Sequence, residues 1–154
     1  MYRCKEIVIL NRRVAIAVYR TREGINVLIE GGDKGHIGAV AVARDGEIVE
    51  SFCFPGHRED IVCESWAKEI SGLVPGPAVV EAGIHYDGIT KGQIEEVMEV
   101  LTAQRKELME ELTEELAEEF RTGLEEAEGA DGGTAEESGT GLEESGRCER
   151  KGKD

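Results

Sequence analysis

The first half of the chain alternates apolar and polar residues with a period of two, which is the pattern of β-strands that bury one face. Polar turns separate these segments, and Asp45-Gly46 is a strong hairpin signal. Connections this short favour antiparallel pairing. The predicted strands cover residues 5–10, 13–20, 24–30, 37–43 and 47–54, and the first two form either a hairpin or one long bent strand.

The period then changes to that of helices, with one more strand between them. Residues 78–85 are an almost continuous apolar run, which predicts a strand at the centre of the sheet. Thr90 and Gln93 have the spacing of a capping box and predict the start of a second helix that ends near residue 120. The first helix covers residues 58–73, with its apolar face formed by Ile61, Val62, Trp66, Ile70 and Leu73.

The order β-β-β-β-(β)-α-β-α predicts an α+β fold: a mainly antiparallel sheet with two helices packed on it. We expect residues 1–104 to form the compact domain and residues 123–154 to be a disordered acidic tail, because the tail is poor in large apolar residues.

Residues 105–122 are predicted to be an acidic helical extension that projects from the domain or pairs with a copy of itself. Its apolar stripe is Leu108, Leu112 and Leu116. Since the core stripe of the helix is mostly complete by Leu101, the domain is expected to fold without residues 105–154.

The charge of the chain is uneven. The formal net charge is −15, and residues 105–154 carry 7 Lys+Arg against 17 Asp+Glu. Nucleic acid and anionic membranes are therefore not expected as partners, because both repel an acidic surface. The longest apolar run is about seven residues, around positions 14–18, whereas a membrane span needs roughly 20.

The amino terminus lacks the apolar stretch and cleavage site of a signal peptide, so we expect a cytoplasmic location. None of the cysteines has the C-x-x-C spacing of a zinc or redox site, and reduced thiols that act as small hydrophobes are expected. The cysteines are Cys4, Cys53, Cys63 and Cys148.

The three histidines of the chain, His36, His57 and His85, all lie at predicted ends of strands or helices, and each has a glycine one or two residues before it. Histidine can exchange a proton, bind a metal or form hydrogen bonds near neutral pH. A single histidine at a turn is usually structural, but three in such similar places favour one shared site. Asp87 follows His85 at a spacing that places both side chains on one face of a strand.

Other acidic residues and a cationic segment lie next to these histidines. Glu59 and Asp60 follow His57, and for Glu59 the favoured role is the acidic charge that suits a helix amino terminus. The segment 55–58 opens a helix and includes Arg58, so its backbone and this side chain are candidates for phosphate binding. The glycine-rich loop with Gly31, Gly32 and Gly38 lacks the spacing of known phosphate loops.

Neither a metal site nor a catalytic nucleophile has a local motif in the sequence. Three histidines could bind a metal with water as the fourth ligand, but their spacing is not a local metal motif. Ser51, Ser65 and Cys63 have no motif of nucleophilic catalysis around them.

Three motifs resemble, in the same order, those of the prenylated flavin chaperone family, which includes the D-type accessory proteins of gallate decarboxylase. The likeness covers residues 5–103, and the sequence departs from the family pattern at Gly35, where a proline is expected, and at Arg58, where lysine is commoner. The motifs are Gly31-Gly32-x-x-x-His36-Ile37-Gly38-Ala39-Val40, Pro55-Gly56-His57-Arg58-Glu59-Asp60 and Ala82-Gly83-Ile84-His85-x-Asp87.

The resemblance implies a non-catalytic accessory protein with a fold like that of proteasome assembly chaperones, often dimeric. Such a protein would assist a prenylated-flavin-dependent decarboxylase, binding prenylated FMN, or an FMN or prenyl phosphate precursor. The ligand-binding residues would be Gly31, Gly32, His36, Gly38, Gly56, His57, Arg58, His85 and Asp87.

Two alternatives stay open at this point. One is a small metal-dependent hydrolase or isomerase with His36, His57 and His85 as ligands and Asp87 or Asp60 as general base. The other is an assembly factor that binds only protein, through its sheet or its second helix.

Overall fold

A computed structural model describes residues 1–130 of the chain. Six strands and two helices follow one another in the predicted order. Leu10 and Asn11 connect the first two strands with φ angles of 48° and 59°, so these strands form a hairpin with a two-residue turn. The elements are β1 (Tyr2–Ile9), β2 (Arg12–Thr21), β3 (Gly24–Gly32), β4 (Lys34–Arg44), β5 (Glu47–Cys53), α1 (Asp60–Leu73), β6 (Ala78–His85) and α2 (Lys91–Ala130).

The strands form one sheet in the order β1-β2-β3-β6-β4-β5. All neighbours are antiparallel except β3 and β6, which are parallel. The predicted α+β class with a mainly antiparallel sheet is therefore confirmed. The central position of β6 is confirmed too, because it pairs with β3 on one side and β4 on the other.

One face of the sheet packs against the helices and forms the core. Val18, Val27, Val80 and Ala41 lie in register across four strands on this face, and all four are buried. The predicted apolar face of α1 is right for Val62, Trp66 and Ile70. It is wrong for Ile61, which is 52% exposed, because the helix turns Cys63 and Ala67 toward the sheet instead.

Helix α2 is one continuous helix of 40 residues, and it lies against the sheet well beyond residue 104. Leu108 and Leu112 are buried in the same core as Leu101. Near the end of this contact, the buried guanidinium of Arg20 donates two hydrogen bonds of 2.9 Å to the Glu119 carboxylate. The prediction that this part of the helix projects or pairs with a copy of itself is therefore wrong for Leu108 and Leu112.

The end of α2 also differs from the prediction. The helix continues to Ala130 rather than ending near residue 120, so residues 123–130 are helical. The rest of the predicted tail, residues 131–154, lies outside the described residues. Within residues 1–130, neither helix combines the length and the apolar composition that crossing a membrane would need.

The other face of the sheet is not covered by a helix in the described part of the chain. A row of side chains in register runs across it from β1 to β5: Cys4, Ala17, Leu28, Glu81, Val40 and Phe52. Tyr2, Tyr19 and Phe52 are more than half exposed there. The sheet therefore presents aromatic side chains to the solvent.

Candidate functional site

The fold brings the three histidines together. His36 lies in β4, His57 in the loop between β5 and α1, and His85 at the end of β6. The ring centroid of His36 is 4.7 Å from that of His57 and 6.3 Å from that of His85. Three separate elements thus place imidazole groups in one cluster, which we call the histidine cluster.

The register between β4 and β6 explains how His36 reaches this position. Lys34 pairs with His85 and Ala39 with Ala82, and the register is irregular between them. The backbone of His36 approaches β6 so closely that a Cβ atom on Gly83 would lie 2.0 Å from the His36 carbonyl oxygen. The glycine two residues before His85 therefore makes room for the His36 backbone.

Glu59 is a fourth member of the histidine cluster. Its two carboxylate oxygens lie 3.4 Å from His36 Nε2 and 3.4 Å from His57 Nδ1. The two ring nitrogens are 3.1 Å apart. Gly38 makes room for the carboxylate, since a Cβ atom there would lie 2.7 Å from Glu59 Oε2.

The contact of Glu59 with both rings differs from the favoured prediction for this residue, which is the acidic charge at a helix amino terminus. The sequence does contain a signal that points to the contact. His57-x-Glu59 has the same spacing as His85-x-Asp87, and both pairs contact: His85 Nε2 is 2.9 Å from Asp87 Oδ1. A histidine followed two residues later by an acid occurs twice, and each time the two side chains meet.

The structure also shows where the predicted phosphate-binding groups lie. The His57 N–H donates to the Phe54 carbonyl at 3.1 Å, and the Arg58 N–H donates to Glu59 Oε2 at 2.9 Å. These two backbone donors are already paired inside the protein. The exposed side chain of Arg58 is therefore the group of this segment that can meet a phosphate.

The predicted glycines fall at the edges of the cluster. Gly31 and Gly32 end β3 and pair with Ile84 and His85 of β6, and Gly56 lies in the exposed loop before His57 with a φ of 86°. Gly31 and Gly32 therefore contact the backbone that carries His85.

A small cleft of about 160 Å³ lies beside Asp87 and is lined in part by Arg12, Asp33 and Tyr86. The backbone N–H of Asp87 donates to Asp33 Oδ2 at 2.9 Å. This hydrogen bond, together with the Arg12 guanidinium, lowers the pKa of the Asp33 carboxyl below its ordinary value. Burial raises the pKa of the Tyr86 hydroxyl, which donates to the Ile9 carbonyl at 2.9 Å. The cleft is thus bordered by an ionised pair and an uncharged phenol.

Comparison with known proteins identifies the family. The model of the prenylated flavin chaperone LpdD-like domain matches residues 10–118, a range that includes all three histidines and Glu59. The chain belongs to the prenylated flavin chaperone LpdD-like family. The resemblance predicted from the three motifs is therefore confirmed.

A curated relative supports this assignment to the prenylated flavin chaperone family. Protein LpdD of Lactiplantibacillus plantarum is 33% identical over 73 residues, which cover 44% of this chain and 54% of the relative. The chain therefore matches about half the length of the curated relative.

The cysteines of the described residues are thiols, and one of them is deeply buried. Burial raises the pKa of the Cys63 thiol to about 12, so it stays protonated and unreactive near neutral pH. Cys4, Cys53 and Cys63 are free thiols, as expected.

The histidine cluster can donate and accept hydrogen bonds, hold a proton or bind a cation.

Proposed function

We propose that this protein binds prenylated FMN, or an FMN or prenyl phosphate precursor, and helps a prenylated-flavin-dependent decarboxylase to acquire it. The ligand would lie on the surface around His36, His57, His85 and Asp87. The observation that carries the proposal is the convergence of three histidines from three elements in a chain of this family.

The residues around the cluster suit a ligand that combines a polar ring edge with a phosphate. Imidazole nitrogens can donate to or accept from the ring. Lys34 and Arg58 are exposed close to His36 and His57 in the chain and can pair with a phosphate. Asp87 fixes the orientation of the His85 ring through their 2.9 Å contact.

The small size of the nearby cleft favours a site that holds its ligand at the protein surface over a pocket that encloses it. Pockets that enclose a small molecule measure about 300–1,000 Å³, whereas the cleft beside Asp87 measures about 160 Å³. Much of a bound flavin would therefore stay at the surface, where a partner enzyme could take it over. Prenylated flavin would supply its decarboxylation chemistry in the partner, after transfer.

The proposal is tested by titrating the purified protein with FMN and with prenylated FMN. We expect saturable binding of the prenylated form and a loss of affinity of at least about tenfold in His57→Ala and His85→Ala, since about 1.4 kcal/mol is tenfold. Arg58→Ala should weaken binding of both phosphorylated ligands. Its matched control is Arg44→Ala, which also removes one positive charge. Arg44 lies at the end of β4 that is far from His36, so this variant should bind the ligands like the wild type.

A second assay measures function directly. Wild-type protein should restore the activity of a partner decarboxylase, and His57→Ala and His85→Ala should not, although both keep the circular dichroism of the folded domain. Full rescue by both variants, or equal ligand binding by wild type and variants, would refute the proposed site.

The uncovered face of the sheet favours protein contacts as well. Tyr2 and Tyr19 are exposed near one edge of this face and Phe52 is exposed at the opposite edge. Aromatic residues are enriched at interfaces, and we propose that a homodimer forms through this face. Light scattering should give twice the mass of one chain for the wild type and a lower mass for Tyr19→Glu. A monomeric wild type would show that this face is not a dimer interface.

A further inference from the structure

Three donor atoms of the histidine cluster converge on one point. They are His36 Nε2, His57 Nδ1 and a carboxylate oxygen of Glu59, and the potential ligand atoms all lie within 4.8 Å of one another. They come from β4, from the loop before α1 and from the residue that precedes α1, so the tertiary fold assembles them.

The separations between these atoms are those of neighbouring ligands around one ion. Metal–nitrogen and metal–oxygen bonds to zinc are about 2.0–2.2 Å long, so ligands at 90–110° to one another are separated by about 3.0–3.4 Å. The observed separations are 3.1 Å between the two nitrogens, 3.4 Å from His36 Nε2 to Glu59 Oε1 and 3.4 Å from His57 Nδ1 to Glu59 Oε2, so the carboxylate offers one oxygen to each side of the site.

The hydrogen bonds around His36 leave one of its ring nitrogens available to a cation. His36 Nδ1 faces the Lys34 carbonyl oxygen at 3.2 Å and so carries the ring proton of a neutral histidine. The lone pair of Nε2 then points toward the Glu59 carboxylate, which is also an acceptor. Without an ion, this lone pair can accept the proton of His57 Nδ1, 3.1 Å away, and a bound cation would take the place of that proton and face the carboxylate.

The surroundings of the three donors resemble the outer shell of a metal site. Ligating histidines usually donate their second N–H to a backbone carbonyl or carboxylate, and ligating carboxylates accept further hydrogen bonds. His36 donates in this way to Lys34, and the Arg58 N–H donates to Glu59. The side chains of His36, His57 and Glu59 are 26%, 30% and 14% exposed, so an ion could enter from the solvent.

We infer that His36, His57 and Glu59 form a binding site for a first-row divalent cation of the Zn²⁺ or Fe²⁺ type, with its remaining positions open to water. Two imidazoles and a carboxylate suit such ions. This ligand set differs from the three histidines of the sequence prediction, since His85 Nε2 is held by Asp87. The inference goes beyond flavin binding and does not depend on it.

The test uses the full chain, stripped of metal with a chelator and then titrated with Co²⁺ and Zn²⁺. Visible absorption reports Co²⁺ ligation, and calorimetry gives the stoichiometry and affinity for Zn²⁺. We expect one ion per chain. His57→Ala and Glu59→Gln should lose at least about tenfold in affinity, because losing even an outer-shell partner of a ligand costs about 10–100-fold.

Two matched controls make the outcome specific. Asp60→Asn removes the same charge one residue after Glu59, and His85→Ala removes the neighbouring histidine; both should bind metal like the wild type. Failure of wild type to bind, unchanged binding in Glu59→Gln, or a thiolate charge-transfer band with Co²⁺ would overturn the inference. Circular dichroism of each variant shows that lost binding is not lost folding. Because no flavin is present, a negative result here leaves the flavin proposal intact.

Discussion

Asp33 ties the end of β6 to the β1–β2 hairpin through a single carboxylate. One of its oxygens accepts the Asp87 N–H, and the other pairs with the guanidinium of Arg12. Both interactions favour the ionised form and lower the pKa of Asp33 below its ordinary value of 3.8. A carboxylate with a lowered pKa links folding to pH.

We expect Asp33→Asn to destabilise the protein in a pH-dependent way. Because the pKa of Asp33 is lower in the folded than in the unfolded state, its contribution is complete above a pH of about 4 and is lost as the pH falls through the folded pKa. Urea unfolding midpoints of wild type and variant should therefore differ at neutral pH and converge in strong acid.

Asp45→Asn provides the control for this measurement, because Asp45 lies in the exposed β4–β5 turn. Its difference from wild type should show little dependence on pH. A difference between Asp33→Asn and wild type that stays constant down to strong acid would contradict the assigned role of Asp33.

At the residue scale, the histidines could be predicted, and so could the contact of Glu59 with His57, but not the contact of Glu59 with His36. Glycine-flanked histidines at the ends of strands are visible in the sequence. The contact of Glu59 with His36 depends on the irregular register between β4 and β6 and on the absence of a side chain at Gly38. Neither can be derived from local pattern, because both arise when distant segments pack.

At the element scale, α2 is held on β1 and β2 by apolar and charged contacts together. Leu108 and Leu112 pack on the core. Basic residues of the two strands face acidic residues of the helix: Lys5 lies 2.6 Å from Glu107, and Arg20 lies 2.9 Å from Glu119. The acidic charge of the helix is thus partly balanced by the sheet beneath it.

Leu112→Ala should lower the free energy of unfolding by about 2–5 kcal/mol, because Leu112 is completely buried and its loss leaves a cavity. The matched control is Leu124→Ala on the same helix. Leu124 is half exposed, and its replacement should change stability by no more than about 0.5 kcal/mol. Urea unfolding measures both values, and equal effects would show that α2 does not pack as described.

Most elements follow from the sequence because they depend on local periodicity. The apolar run at 78–85 predicts a central strand, and the six strands and two helices occur in the predicted order. The parallel pairing of β3 with β6 has no local signal, since the two are separated by two strands and a helix. The burial of Leu108 could not be predicted because a helical stripe alone does not reveal which surface covers it.

At the scale of the whole molecule, the domain extends further along the chain than the predicted boundary at residue 104. A chain that ends after Gln104 loses the core residues Leu108 and Leu112 and the acidic partners of Lys5 and Arg20. We expect it to unfold at much lower urea concentration than the full chain, or to lose cooperative unfolding.

A chain that ends after Ala130 keeps these contacts and should unfold like the full-length protein. Circular dichroism and tryptophan fluorescence, which reports the buried Trp66, can follow all three chains. If the chain ending at Gln104 is as stable as the full-length protein, the contacts of the distal helix contribute nothing to the fold.

The length of α2 has a consequence for how the protein moves in solution. At 1.5 Å per residue, its 40 residues extend about 60 Å, whereas the ten residues of β2 extend about 33 Å. The helix of the described residues therefore reaches well past the sheet. We expect a monomer of 16.8 kDa to have a larger Stokes radius than a compact sphere of the same mass. A monomer should elute from a sizing column earlier than a compact protein of the same mass. Its apparent mass will then exceed its true mass because of the long helix.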